Sequence, residues 1–193
     1  SVDSSEVCES ALRTPHSALW GSTNAGAWKQ SDFPPPVGRT TTLSRDARIA
    51  CMASRCSGGG VLSSWVIGHT DRFAAAAVRC PVIDWLSFAG HTDIPLFTYN
   101  FFEKPFWVDP KPWLKQSSLM YVGNVKTPTM LMTGVLDMRT PIPQTEEFYQ
   151  ALKLRHVPTA MIRFNDEYHG TSSKPTNFIR TQLYLRLWFE KYS

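Results

Sequence analysis

The sequence predicts an α/β fold: a parallel sheet flanked by helices. Three observations carry that expectation. The chain has 193 residues, the size of one ordinary domain. Hydrophobic residues make up 42% and charged residues 19%, so a full core forms without metal or disulfide staples. In the C-terminal third, short buried-strand patterns alternate with helix patterns, which is what a parallel sheet covered on both faces produces.

The elements follow in order. Residues 1–45 are rich in Ser, Thr, Gly and Pro, including Pro34-Pro35-Pro36, and hold no sustained apolar period. They read as an irregular segment, and residues 46–193 as the folded domain. Ile49 to Ala53 is a short buried-strand candidate. Between Gly60 and Gly68, Val61, Leu62, Trp65 and Val66 are spaced for a helix. Ala75 to Val82 is a further apolar run, closed by Pro81. Trp85 to Trp113 is aromatic, interrupted by prolines and without a clean period. It suits an insertion or cap packed on the core, and Trp85, Phe88 and Phe102 are candidates for an apolar substrate wall.

Thr129 to Thr133 reads as a buried strand ended by Gly134. Thr140-Pro141 then opens a helix, with Pro at its first position and Phe148 and Leu152 one turn apart. Thr159 to Phe164 is the next strand. Ser172 and Ser173 are placed to cap a last helix from near Pro175. Its apolar residues Phe178, Leu185, Trp188 and Tyr192 follow helical spacing, and Leu183 and Leu187 widen the face.

Composition excludes several function classes. A net charge of +4, from 20 basic and 16 acidic residues, is too small and too dispersed for nucleic-acid or membrane-surface binding. No apolar run approaches the ~20 residues of a membrane span. The opening Ser1 to Glu6 lacks the basic and apolar regions of a signal peptide, which favours a cytoplasmic location. Cys8, Cys51, Cys56 and Cys80 show no CxxC spacing and no histidine at metal-ligand distance along the chain. They read as small buried hydrophobes in a reducing compartment, and neither a metal nor an organic cofactor is expected.

The candidates for chemistry sit at strand ends. Ser57-Gly58-Gly59-Gly60 lies between a strand candidate and a helix. A nucleophilic serine needs such a sharp turn, with glycines letting the neighbouring chain approach. The following helix also aims free N–H groups at a developing oxyanion. A glycine-rich turn with an incidental serine is the competing reading. Asp137 follows the 129–133 strand and His169 the 159–164 strand. Taken singly, the first suits a turn residue and the second a surface histidine. Together, Ser57, Asp137 and His169 stand in the chain order of an α/β-hydrolase triad.

Residues 55–192 resemble the C-terminal catalytic domain of the prolyl oligopeptidase family of serine peptidases, in its acylaminoacyl-peptidase and dipeptidyl-peptidase branch. The stretches that carry the likeness are Thr127 to Gly134, Asp137 to Pro141, Gln144 to Leu152, and His169-Gly170 ahead of a helix ending in Trp188-Phe189. Ser57 to Gly60, with Thr70-Asp71-Arg72-Phe73, resembles the family's nucleophile region. The resemblance implies an α/β-hydrolase-like domain, incomplete on its N-terminal side. It makes Ser57 the nucleophile, His169 the general base, Asp137 its orienting partner, and Gly58 an oxyanion N–H donor. It also implies short peptide substrates and no cofactor; self-association is left open.

Two features depart from the family pattern. Arg55 stands where the first glycine of Gly-x-Ser-x-Gly belongs, at the tightest point of the elbow. Only 56 residues precede Ser57, and the oxyanion loop is not recognisable among them beyond a faint likeness at Gly21 to Gly26. These departures keep two alternatives open. One is an inactive remnant or binding module of the same fold, and the other a carboxylesterase on the same triad.

Overall fold

The computed structural model describes residues 57–192. The 49–53 strand candidate, Arg55, the boundary expected near residue 45, and Cys8, Cys51 and Cys56 lie outside them. Helix α1 (Ser57–Ile67) leads into β1 (Ala76–Arg79). Helix α2 (Trp85–His91), a 3₁₀ turn (Pro95–Asn100), α3 (Lys111–Gln116) and a second 3₁₀ turn (Ser118–Asn124) follow. The chain then returns as β2 (Thr129–Gly134), α4 (Ile142–Leu154), β3 (Thr159–Phe164) and α5 (Pro175–Tyr192).

The three strands form one parallel sheet in the order β1-β2-β3. Ala76 pairs with Thr129, and Thr129 with Thr159. Successive strand residues point to opposite faces, so the continuous apolar runs serve two cores. Ala76, Val78 and Leu131 face Ile67 of α1 and Phe148 and Leu152 of α4. Ala77, Met130, Met132 and Phe164 face Leu185 and Trp188 of α5. The expected alternation and the parallel sheet flanked by helices are therefore present.

Three local expectations need correction. Helix α4 begins at Ile142, with Pro141 at its N-cap, so Pro141 stands one position ahead of the first helical residue. Its tie to the fold is Gln144, whose Oε1 accepts from the N–H groups of Ile83 and Asp84 at 2.9 and 3.1 Å. In α5 the buried line is Asn177, Thr181, Leu185 and Trp188. Phe178, Leu183 and Leu187 are exposed, because polar side chains that bond to the preceding loop take the inward register. Ser172 and Ser173 do not cap α5 with their own hydroxyls. Ser172 Oγ donates to Gly170 O, and Ser173 Oγ donates to the Glu167 carboxylate. That buried carboxylate takes the Ser173 and Lys174 N–H groups, each at 3.1 Å.

The aromatic segment closes on itself. Phe102 stacks on Trp113 with ring centres 4.0 Å apart, and Trp85 meets Phe88 and Phe102 edge-on. Both buried indoles find acceptors: Trp85 Nε1 donates to Gln116 O at 3.1 Å and Trp113 Nε1 to Lys104 O at 3.0 Å. Among the described residues, no helix is long and apolar enough to cross a membrane.

Candidate active site

In a parallel sheet, the loops leaving the carboxyl ends of the strands gather at one edge, where ligands bind. Here they carry Cys80 after β1, Asp137 after β2 and His169 after β3. Two of these loops approach closely. A Cβ on Gly134 would lie 2.3 Å from Glu167 O and 2.4 Å from Tyr168 O, so only glycine lets the Asp137 turn lie under the His169 loop.

Asp137 and His169 are brought together. His169 Nδ1 lies 2.8 Å from Asp137 Oδ2. A carboxylate has no proton to give, so Nδ1 carries the shared proton and Nε2 faces away from the pair. The Asp137 side chain is fully buried, and that of His169 is 30% exposed. Asp137 Oδ1 accepts from the N–H groups of Arg139 and Thr140, both at 2.9 Å, and Oδ2 also accepts from Thr140 Oγ1 at 3.0 Å. Burial alone would raise the Asp137 pKa, but the hydrogen bond and charge of His169 and the two bonds from Thr140 outweigh it. The carboxyl is held below its ordinary value.

The His169 loop is anchored from both sides. Arg79, buried at the end of β1, donates through Nη2 to Gly170 O and to Thr171 Oγ1, the latter at 2.8 Å. Thr171 O accepts from Thr181 Oγ1 at 3.1 Å. Gly170 and Thr171 have φ of 110° and 57°, left-handed backbone that the anchors hold in place. On the other side, Asn177 Nδ2 donates to Glu167 at 2.8 Å. Burial would raise the Glu167 pKa, yet the bonds from Ser173, Asn177 and Lys174 hold its carboxyl below the ordinary value.

Helix α1 reaches the same edge. Its first turn passes so near the end of β1 that a Cβ on Gly60 would lie 2.2 Å from Arg79 O. Ser57 is the first residue of that helix. The side chain of Ser57 and the surroundings of Gly58 lie outside what is described. Trp85, Phe88 and Phe102 are buried within the aromatic cluster and offer no open surface to a ligand among the described residues.

Sequence reasoning missed four residues here. Thr140 carried a signal, since a residue three after an aspartate often returns a hydrogen bond to it. Arg79, Glu167 and Cys80 carried none, because only the fold brings them beside His169.

Comparison with known proteins fits this architecture. The profile of the prolyl oligopeptidase family matches residues 40–193. The chain belongs to that family. It is 33% identical over 137 residues to the Bacillus subtilis peptidase YuxL, covering 69% of this chain and 21% of the relative. It is 37% identical over 136 residues to the acylamino-acid-releasing enzyme of Sus scrofa, covering 65% of this chain and 18% of the relative. Among solved structures, the Pyrococcus horikoshii acylaminoacyl peptidase superposes with a TM-score of 0.66 at 26% identity. That match covers 70% of this chain and 23% of the other. The chain thus spans about a fifth of the length of the curated relatives it matches. The family places it in the acylaminoacyl-peptidase branch, with an α/β-hydrolase fold.

Proposed function

We propose that this chain carries the reactive centre of a serine peptidase acting on short peptides, with Ser57, His169 and Asp137 as its triad. The observation that carries the reading is the 2.8 Å bond between His169 Nδ1 and the buried Asp137 carboxylate. That bond fixes the imidazole tautomer and leaves Nε2 to act as base toward a hydroxyl. The start of α1 at Ser57, packed through Gly60 against Arg79, supports the choice of nucleophile. The names of the acylamino-acid-releasing relatives favour peptides whose first residue is N-acylated.

In this mechanism Ser57 Oγ attacks the scissile carbonyl carbon while His169 Nε2 takes the hydroxyl proton. Asp137, kept ionised by its hydrogen bonds, stabilises the imidazolium that forms. The Gly58 N–H, at the start of α1, donates to the oxyanion. Collapse of the tetrahedral intermediate breaks the C–N bond, and His169 returns its proton to the leaving amine. A water then hydrolyses the acyl-enzyme by the same steps in reverse roles.

The test is steady-state hydrolysis of an N-acylated peptide anilide and of an aryl ester by the full chain and its Ser57→Ala variant. Arg55 stands where the family pattern has glycine, so kcat/KM on the anilide is expected below about 10⁴ M⁻¹s⁻¹, abolished in Ser57→Ala. Arg55→Gly should raise it only in part. Hydrolysis of the ester alone would assign the site to a carboxylesterase, and turnover of neither substrate by the folded chain would overturn the reading.

A further inference from the structure

Cys80 has no task in the mechanism above, yet it is built into the same corner. It is the first residue after β1, buried, with its N–H donating to Met132 O at 2.9 Å. Its φ of 44° is left-handed, an uncommon conformation for a residue with a side chain. That backbone turns the thiol toward the ends of β2 and β3. The Cys80 thiol, a carboxylate oxygen of Asp137 and a ring nitrogen of His169 all lie within 4.8 Å of one another.

We propose that Cys80, Asp137 and His169 form a binding site for a borderline-soft divalent cation of the Zn²⁺ class. The donor set is one sulfur, one imidazole nitrogen and one carboxylate oxygen, a combination that zinc takes readily and hard cations do not. Zn–S is near 2.3 Å and Zn–N near 2.0–2.1 Å, so tetrahedral ligands sit about 3.5 Å apart. The Asp137 and His169 donors, now 2.8 Å apart, must open by about 0.5 Å to take an ion between them. The thiol already lies within 4.8 Å of both, and the partly exposed His169 ring is the side chain with room to shift.

Charge favours a dication. Binding replaces the thiol proton, so thiolate and carboxylate together neutralise the ion and one proton leaves. If Nδ1 is the ligand, the imidazole proton moves from Nδ1 to Nε2, and a water completes the shell. Without the ion, burial and then the Asp137 charge push the Cys80 thiol up to about 12, against a backbone bond from Gly170 and the Arg79 charge. The thiol therefore stays protonated and quiet in the bare protein. An ion seated here replaces the Asp137–His169 bond, so the site competes with the base function proposed for His169. The binding itself does not depend on that function.

The experiment measures the metal directly. The full chain carrying Cys8→Ser, Cys51→Ser and Cys56→Ser keeps Cys80 as its single thiol. It is titrated with Co²⁺, followed by near-ultraviolet thiolate-to-metal absorption, and with Zn²⁺ by calorimetry. One equivalent of Co²⁺ should bind with the thiolate band. Adding Cys80→Ser or His169→Ala should weaken Zn²⁺ at least about tenfold, and Cys80→Ser should remove the band. Cys80→Asn provides a second variant, because asparagine tolerates left-handed backbone and preserves the fold. It should lose the band as well. Absence of a thiolate band in the single-thiol chain would overturn the proposal, as would Zn²⁺ affinity unchanged by Cys80→Asn.

Discussion

The corner around Asp137 and the aromatic segment after β1 are both buried, but they bury different things. Around Asp137 the interior is polar: Arg79, Thr140, Glu167, Thr171, Asn177 and Thr181 are all buried. Hydrogen bonds join Arg79 to Thr171 and Thr171 to Thr181, Thr140 to Asp137, and Asn177 to Glu167. Around Phe88 and Phe102 the interior is rings, and each indole meets one backbone acceptor. A buried polar network fixes direction, because each group left unpaired is costly. Packed rings fix volume and exclude water. The first region therefore orients the Asp137 and His169 side chains, and the second holds the shape of its own segment. Substitutions in the two should fail differently.

The largest expected effect is on turnover. Asp137→Asn keeps the shape of the side chain but favours the wrong imidazole tautomer, so kcat should fall by about 10⁴ with only a modest loss of stability. Paired kinetics and urea unfolding would check this. A loss of stability with turnover preserved would assign Asp137 to the fold alone.

Phe88→Ala should behave in the opposite way. Phe88 is 1% exposed, and removing its ring leaves a cavity worth about 3–5 kcal/mol. Urea midpoints should show that loss, while label or substrate reaction in the remaining folded fraction should persist. Gly134→Ala lies between the two cases. The new methyl meets two backbone carbonyls and must push the His169 loop from the Asp137 turn. Stability should drop by about 1–3 kcal/mol, and the Asp137–His169 bond should open, which imidazole ¹⁵N shifts would report.

The smallest effect is acid sensitivity. The Asp137 and Glu167 carboxyls are both held below their ordinary values of 3.8 and 4.5. Each pKa is lower folded than unfolded, so the stability they contribute is present in full above the ordinary carboxylate range. It is lost as pH falls through the depressed folded values. Unfolding midpoints measured downward from about pH 6 should decline less steeply in Asp137→Asn and Glu167→Gln than in the native sequence.

The same division explains what the sequence made legible. Strands at 129–133 and 159–164, the helix face of Phe148 and Leu152, and the placement of Asp137 and His169 after strands all follow from local pattern. Those patterns report which backbone ladder a residue joins. Arg79, Glu167 and Cys80 act only across the sheet edge, through partners distant in sequence, and no local pattern encodes them. The α5 face was misread for a related reason. Asn177 and Thr181 turn inward because Glu167 and Thr171 await them, which displaces Phe178 to the surface. The aromatic segment was legible as apolar but not as a cluster, since ring packing leaves no period.

The most direct test of the central claim is covalent. The full chain is treated with a fluorophosphonate and the adduct located by peptide mass spectrometry, beside the Ser57→Ala and His169→Ala variants. An adduct on Ser57 that disappears in both variants is the expected result. An adduct on another residue, or equal labelling of Ser57→Ala, would contradict it.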